Sequence, residues 1–461
     1  MKRSMLCLLC ALLLLAPIFA HAQTDVVSQV MAPYFTIVDA SDPTHAFYCK
    51  NADATAYPSS TIKILTCLIA IETCDLNETV TVSKNAASLP ETHSLMGLKS
   101  GERIIVRDLL YGMMLASGND AAIALAEHIG GSVVEFAVLM NERAAQLGMK
   151  NSHFVNPHGV HTTEQYTTAA DMAILASYAI GNETFLEITG TIDYTVPAND
   201  VRKSKIELHS SNWLLGTGAE RYYYEYAIGG KTGSSASQGK CLVTMAKRDG
   251  VTLVCCMFGL TEGGDITKRL QITFEDSKYL FEQVYENCYS TVSASDLGLD
   301  YSTELDAVSN CAEGEGALEL RGDFAGQTVY LGNDIIDGVK LGSIEPSYTV
   351  TLDNNIAAPV EKGQSLGWVD CSLDGRTIFS GELVATRAVA EFVPTLEPTA
   401  IPTPTASPTL EPFATPTSAP VTAEQQESDS SALPAILIAA ALAMVLCIMG
   451  LVVLILRKKR S

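Results

Sequence analysis

Positive charge is scarce in this chain: 30 Lys and Arg stand against 52 Asp and Glu, for a net charge of −22. Six of the positives sit at the two ends, Lys2 and Arg3 at the start and Arg457, Lys458, Lys459 and Arg460 at the finish. Setting those six aside takes the body from −22 to −28. So acidic a body excludes nucleic acid as a partner, and excludes attachment to an anionic surface by charge alone. The 12 cysteines likewise form neither a disulfide framework nor a zinc pattern. Cys7 and Cys10 fall near the N-terminus, and Cys447 in an apolar run near the other end. Cys49, Cys67, Cys74, Cys241, Cys255, Cys256, Cys288, Cys311 and Cys371 remain. That number is odd, so at least one is unpaired, and any pairing within the pool is unassigned. Cys67, Cys74, Cys241, Cys255 and Cys256 lie in or beside apolar segments and read as small core residues. No metal and no cofactor is expected.

Apolar residues make up 47% of the chain, ample for a core. Residues 1–22 read as a secretory leader: Lys2 and Arg3 form the basic start, Met5 to Ala16 the apolar centre, and Ala20-His21-Ala22 the cleavage site. Residues 23–288 read as one α+β domain. Phe35-Thr36-Ile37-Val38 and Ala46-Phe47-Tyr48-Cys49 flank Asp42-Pro43 and predict a hairpin turning there. Helical spacing follows over 103–147, with Leu109, Leu110, Met113 and Met114 on one face. Strands are predicted over 241–245 and 251–257, turning at Arg248-Asp249-Gly250, and a helix over 267–287. The order implies a sheet that joins N- and C-terminal strands, with a helical insert between them.

Residues 289–391 change character. Short strands at 318–320, 328–331, 348–352 and 382–385 alternate with Gly, Asp and Asn turns, which predicts a separate small all-β domain. Over 392–432 proline recurs amid threonine and alanine, then Glu424 to Asp429 turns acidic. This is an extended linker; at ~3.1 Å per residue its proline-rich part reaches roughly 80 Å. Residues 433–456 contain the uncharged run Ala435 to Leu456, long enough for a bilayer, which takes about 20 residues. The basic tail 457–461 follows at once. The positive-inside rule then puts the tail in the cytoplasm and everything before the span outside the cell membrane.

The stretch on which the rest turns is Tyr57-Pro58-Ser59-Ser60-Thr61-Ile62-Lys63. Beyond it Ile64, Cys67, Leu68 and Ile71 recur at helical spacing, and Ile62, Leu65 and Ile69 widen the apolar surface, so the helix is buried rather than half-exposed. Ser60 and Lys63 fall one turn apart at its start. A buried helix has little use for an ammonium unless it is paired or used. A lysine stripped of water gives up its proton more readily and can take one from a neighbouring hydroxyl. That makes Ser60 a candidate nucleophile and Lys63 its base. The pattern alone is cheap, because Ser237-Gln238-Gly239-Lys240 repeats it and reads as incidental.

Two further motifs add weight. Ser117-Gly118-Asn119 puts a hydroxyl and an amide on a tight turn between helices, where Gly118 allows an unusual backbone angle. Ser210-Ser211-Asn212 shows that such a pattern also arises by chance. Lys231-Thr232-Gly233, preceded by Gly229-Gly230, offers a cation and a hydroxyl to a carboxylate while glycine lets backbone run close to a ligand. The order of the three is the motif set of serine penicillin-binding proteins and class A β-lactamases.

The surrounding text resembles the low-molecular-mass penicillin-binding proteins, the D-alanyl-D-alanine carboxypeptidases. The resemblance is carried by Lys50-Asn51-Ala52-Asp53, Tyr57 through Lys63, Ser94-Leu95-Met96-Gly97-Leu98-Lys99, Ser117 through Ala122, Asn156-Pro157-His158-Gly159, Thr168 through Ala173 and Gly230 through Gly233. Ala358 through Gln364 and Leu373-Asp374-Gly375 extend it, so it covers roughly residues 33–391. It implies a β-lactamase/transpeptidase-like catalytic domain, an antiparallel sheet between helix layers. It implies removal of the terminal D-alanine from peptidoglycan stem pentapeptides ending in D-Ala-D-Ala, and trapping by β-lactam antibiotics. Ser60 would attack the penultimate carbonyl and Lys63 take its proton. Ser117 and Lys231 would pass a proton to the leaving nitrogen, and Asn119 hold the substrate amide. Lys231 and Thr232 would bind the terminal carboxylate beside Gly233, and the backbone N–H groups of Ser60 and Ser234 form the oxyanion hole. His158 and His161 read as structural.

Two departures stand out. Ser234 and Ser235 occupy positions where a bulkier aromatic or histidine is expected, and a transmembrane span takes the place of an amphipathic anchor. A β-lactamase shares the motifs, but no Glu-x-x-Asn lies between Ser117 and Lys231 to activate a deacylating water. A sensor or scaffold is the non-enzymatic alternative; the five-residue tail is too short for a signalling domain.

Overall fold

The apolar runs near residues 35 and 255 pair with one another, as a sheet built from both ends of a domain requires. The computed structural model describes residues 25–394 apart from 219, 307 and 374. The leader, nearly all of the linker and the apolar run 433–456 lie outside the described residues. Five strands form the first sheet: β1 (Tyr34–Asp39), β2 (Asp42–Lys50), β3 (Ala227–Ser235), β4 (Gly239–Arg248) and β5 (Val251–Leu260). Their order is β2-β1-β5-β4-β3, antiparallel throughout. The β4–β5 turn is Asp249-Gly250 with φ of 50° and 83°, the two-residue turn whose twist suits a hairpin.

The first hairpin turns earlier than its proline suggests. Asp39 faces Asp42 across Ala40-Ser41, and the register slips twice between Ile37 and Asp39. Asp39 Oδ1 accepts from the Ser41 N–H at 2.7 Å and closes the turn. Pro43 therefore lies inside β2, which it can do because β2 is an edge strand.

Six helices fill the insert between β2 and β3: α1 (Lys63–Thr73), α2 (Val106–Met114), α3 (Asn119–Gly130), α4 (Val133–Leu147), α5 (Ala169–Ala179) and α6 (Glu183–Gly190). Their starts follow from side-chain caps. Ser132 accepts from Glu135 N–H, Thr168 from Asp171 N–H and Asn182 from Phe185 N–H. A seventh helix, α7 (Ile266–Asn287), follows β5. The sheet divides two cores. Ile64, Leu68, Leu109 and Met113 pack with Val243, Val254, Cys256 and Phe258 on one face. Phe274, Leu280, Phe281 and Val284 of α7 pack with Leu242, Leu253, Cys255 and Met257 on the other. Cys255 and Cys256 are neighbours in sequence and members of opposite cores, which is why β4 and β5 read as continuous apolar runs. Each such side chain fully buried contributes about 1.5–3 kcal/mol. This is the mixed fold with an antiparallel sheet between helix layers. Cys67, Cys241, Cys255 and Cys256 are buried, Cys74 is half-buried, and all nine cysteines of the described residues are free thiols.

Beyond α7 the chain forms β6 (Tyr289–Ser293), β7 (Ser302–Leu305), β8 (Leu318–Asp323), β9 (Thr328–Gly332), β10 (Ser347–Leu352), β11 (Ser365–Leu373) and β12 (Arg376–Ala385). Five make an antiparallel sheet in the order β7-β8-β12-β11-β10, and β6 pairs with β9. The region is β-rich but not all-β, because α8 (Asn333–Leu341) packs Ile335, Ile336 and Val339 onto its core. Among the described residues no single helix is long and apolar enough to cross a membrane.

Candidate active site

Ser60 is carried by a tight turn rather than by regular helix. Ser59–Ile62 form a 3-10 turn, and α1 begins at Lys63. The turn is entered through Ser59 at φ 47°, a left-handed conformation that costs a non-glycine residue roughly 1–2 kcal/mol. Such strain persists only where the surroundings over-determine it. Here the edge strand supplies that constraint: a Cβ at Gly233 would come within 3.1 Å of Ser59 Cβ. A side chain at 233 would push β3 or the nucleophile's turn aside by a few tenths of an ångström.

Lys63 is fully buried, and its Nζ meets three acceptors, Ser60 Oγ at 3.0 Å, Asn119 Oδ1 at 2.8 Å and the His158 carbonyl at 2.6 Å. None carries charge. Burial pushes the ammonium well below the ordinary lysine range, and repulsion from Lys231 pushes it further. A neutral amine has two protons and one lone pair. With its protons on Asn119 Oδ1 and the His158 carbonyl, the lone pair faces Ser60 Oγ and can accept the hydroxyl proton. Asn119 keeps its NH2 free for a substrate carbonyl.

The Ser117-Gly118-Asn119 turn is built differently from its expectation. Gly118 has an ordinary φ of −57°, and Ser117 takes the left-handed position at 58°. Gly118 is needed for space: a Cβ there would sit 2.9 Å from Asp120 Oδ1 and 3.1 Å from the Gly112 carbonyl. Ser117 is half-buried, and no hydrogen bond joins its hydroxyl to Ser60, Lys63 or Lys231. Asp120 fixes the turn from beneath. Its carboxylate accepts N–H bonds from Met96, Gly97, Leu98 and Ala121 at 2.8–3.0 Å.

Lys231-Thr232-Gly233-Ser234 is edge strand, not loop. Lys231 stands opposite Val243, on the face toward α1. It is buried, its Nζ donates to the Thr232 carbonyl at 3.1 Å, and burial lowers it to about 7. Thr232 Oγ1 and Ser211 Oγ are 2.6 Å apart, so the serine–asparagine pattern that reads as chance lies against this strand. His158 is driven down to about 3 by burial, with Lys63 and His93 adding repulsion, so its imidazole is neutral at pH 7. Its Nδ1 accepts from Val160 N–H at 3.1 Å.

The family model described as D-alanyl-D-alanine carboxypeptidase matches residues 20–261. The chain belongs to the D-alanyl-D-alanine carboxypeptidase family. Among its relatives, DacF of Bacillus subtilis is 29% identical over 354 residues, 75% of this chain and 82% of that protein. DacC of Escherichia coli is 30% identical over 351 residues, 74% of this chain and 80% of that one. The crystal structure of penicillin binding protein 5 from Haemophilus influenzae superposes with a TM-score of 0.51 at 26% identity, covering 79% of this chain and 98% of that one.

In this member of the D-alanyl-D-alanine carboxypeptidase family, Ser60, Lys63 and Asn119 are joined by hydrogen bonds, and Lys231 is near enough to repel Lys63. Thr232, Gly233 and Ser234 line the strand edge, and Ser117 stands on the facing turn. Sequence reasoning misses the His158 carbonyl, because a backbone oxygen has no residue identity to read. It misses Gly159 too, whose φ is 89° and whose Cβ would lie 1.9 Å from the Ser59 carbonyl. Asn156, whose Oδ1 accepts the Gly159 N–H at 2.7 Å, holds that glycine in place.

Proposed function

We propose that the chain is a serine-type D-alanyl-D-alanine carboxypeptidase acting on peptidoglycan stem pentapeptides through a Ser60 acyl-enzyme. The observation that carries this is the three-point cradle of Lys63, which offers its Nζ no charged acceptor and sets it 3.0 Å from Ser60 Oγ. Ser60 Oγ attacks the carbonyl carbon of the penultimate D-alanine while Lys63 takes its proton. The backbone N–H groups of Ser60 and Ser234 stabilise the oxyanion, where one donor is worth roughly 2.7–4 kcal/mol. Collapse breaks the C–N bond, and the leaving D-alanine nitrogen receives a proton relayed from Lys63 through Ser117 and Lys231. Asn119 holds the substrate amide, and Lys231 and Thr232 bind the terminal carboxylate. Water, deprotonated by Lys63, then cleaves the ester and restores Ser60. A β-lactam offers the same acyl carbon and traps Ser60.

The localisation belongs to the same reading. Residues 1–22 are removed, 433–456 span the cell membrane with 457–461 in the cytoplasm, and the catalytic domain works outside. Residues 289–391 form a separate β-rich domain, and 392–432 are the tether. Deleting 433–461 should release the protein from membranes into the medium.

The test of the chemistry uses the full-length chain, a fluorescent penicillin and diacetyl-L-Lys-D-Ala-D-Ala. Long-lived labelling and D-alanine release are expected, and Ser60→Ala should abolish both. Release retained by Ser60→Ala would sink the mechanism. Rapid repeated destruction of penicillin would indicate a β-lactamase instead.

A further inference from the structure

Lys240 has no part in the scheme above. It ends Ser237-Gln238-Gly239-Lys240 and lies on β4 directly opposite Ser234. Successive residues of β3 alternate between the faces of the sheet. Lys231 and Gly233 stand opposite Val243 and Cys241, in the core beneath α1. Thr232 and Ser234 stand opposite Leu242 and Lys240, and Leu242 belongs to the core beneath α7. Thr232, Ser234 and Lys240 thus share one side of the strand edge, and Lys231 and Lys63 the other. Lys240 is 9% exposed, and its Nζ donates to Ser234 Oγ at 2.9 Å. Ser234 itself is exposed.

None of the ion pairs among the described residues involves Lys63, Lys231 or Lys240. Arg269 on α7 is close enough to add repulsion at Lys240. A chain with a net charge of −22 has carboxylates to spare, yet leaves this part-buried ammonium without one. Burying an unpaired ammonium is costly, and an anionic ligand relieves that cost. Lys231 lies on the α1 side of β3, whereas Lys240 lies beside the residue that follows Lys231-Thr232-Gly233.

We propose that Lys240 is a substrate-specificity residue whose ammonium, with the hydroxyls of Ser234 and Thr232, holds the C-terminal carboxylate of the peptide. Ser234 Oγ accepts from Lys240, which leaves its own proton to donate to a carboxylate oxygen. Lys240 thereby adds a second cation to the carboxylate contact of Lys231 and Thr232. The proposal rests on the carboxypeptidase reading and deepens it, because it makes a free terminal carboxylate the feature that is recognised.

The experiment compares diacetyl-L-Lys-D-Ala-D-Ala with its C-terminal amide on the full-length chain, measuring kcat and KM for release of the last residue. The unmodified protein should prefer the acid. Lys240→Met should raise KM for the acid about tenfold or more with kcat within about threefold, and leave the amide unchanged, since the lost contact is made equally in ground and transition states. Lys240→Arg should restore the acid/amide ratio to within about threefold. Ser234→Ala should lower that ratio in the same direction, and keeps the question open to test if the Met variant does not fold. An acid/amide ratio untouched by Lys240→Met, or equal loss of kcat on both peptides, would overturn the proposal. Equal release from acid and amide by the unmodified chain would overturn this proposal alone. No release from either would overturn the carboxypeptidase reading and this proposal with it.

Discussion

At the scale of single residues, the site is a problem in lysine titration. Lys63 and Lys231 are both buried and neither forms an ion pair, and both are displaced downward although Asp120 pulls Lys63 the other way. Lys63 carries the added repulsion of Lys231. The proposed mechanism works with Lys63 neutral and Lys231 charged. Activity therefore rises with pH as Lys63 deprotonates, and falls again as Lys231 loses its proton above about 7. Penicillin acylation measured as kcat/KM reports these groups in the free enzyme. It should fall roughly tenfold per pH unit beyond the Lys231 value. Lys231→Arg keeps its charge and should move that falling limb out of range, at a lower maximum rate. An unchanged alkaline limb in Lys231→Arg would remove Lys231 from the relay. The motif residues were legible because each brings its own chemistry to a spacing that helices and tight turns constrain. Lys240 and Ser211 were not: Lys240 meets Ser234 across a hairpin, and Ser211 reaches Thr232 from a separate loop. The repeated Ser-x-x-Lys pattern that ends in Lys240 read as incidental, and Lys240 bonds Ser234 instead of Ser237.

At the scale of elements, the catalytic turn is wedged between the edge strand β3 and the segment 156–160. Gly159 makes the second of these approaches, with a Cβ position 1.9 Å from the Ser59 carbonyl. Gly159→Ala must move that carbonyl or its own loop, and it also strains a backbone at φ 89°. Misplacement by about 1 Å is enough to cost a hundredfold in rate, so acylation should slow by about that factor while the fold persists. Labelling at the normal rate would show that the turn has slack. Asp120 is the corresponding support for the Ser117 turn. In Asp120→Asn one carboxylate oxygen becomes NH2 and faces two backbone N–H donors. The cost should be about 2–4 kcal/mol in urea unfolding. A smaller loss of about 0.5 kcal/mol would mean that the 94–98 segment is held otherwise. The elements themselves were largely legible, since α1, α2, β4, β5 and α7 follow long apolar patterns. The first turn was misplaced by two residues, because Pro43 was read as turn chemistry when an edge strand tolerates it. Strand β3 was missed because four of its nine residues, Gly229, Gly230, Thr232 and Gly233, together with its serines, offer no apolar alternation.

At the scale of the molecule, the two-sided sheet follows from sequence order, whereas the junction with the β-rich region does not. That junction is made by aromatic residues scattered over separate elements. Tyr289 and Tyr330 stack with centroids 5.2 Å apart, and the Tyr289 hydroxyl donates to Asp39 Oδ2 at 2.5 Å. The Tyr330 hydroxyl donates to the Tyr285 carbonyl at the end of α7, and Asn333 Nδ2 donates to the Asn287 carbonyl at 2.9 Å. Each side of this junction has its own apolar core, that of α7 and the sheet on one side and that around Leu320, Val369 and Leu383 on the other. Two cores joined by a few polar and aromatic contacts unfold together only while those contacts hold. Tyr330→Ala removes one ring stack and one hydrogen bond, together about 1–3 kcal/mol. The β-rich region should then melt ahead of the rest, and calorimetry should resolve two transitions where the unmodified chain shows one. Ser60 labelling should survive the first transition, because none of the groups around Lys63 lies beyond α7. A single transition that takes the labelling with it would mean that the catalytic fold depends on the β-rich region for its stability.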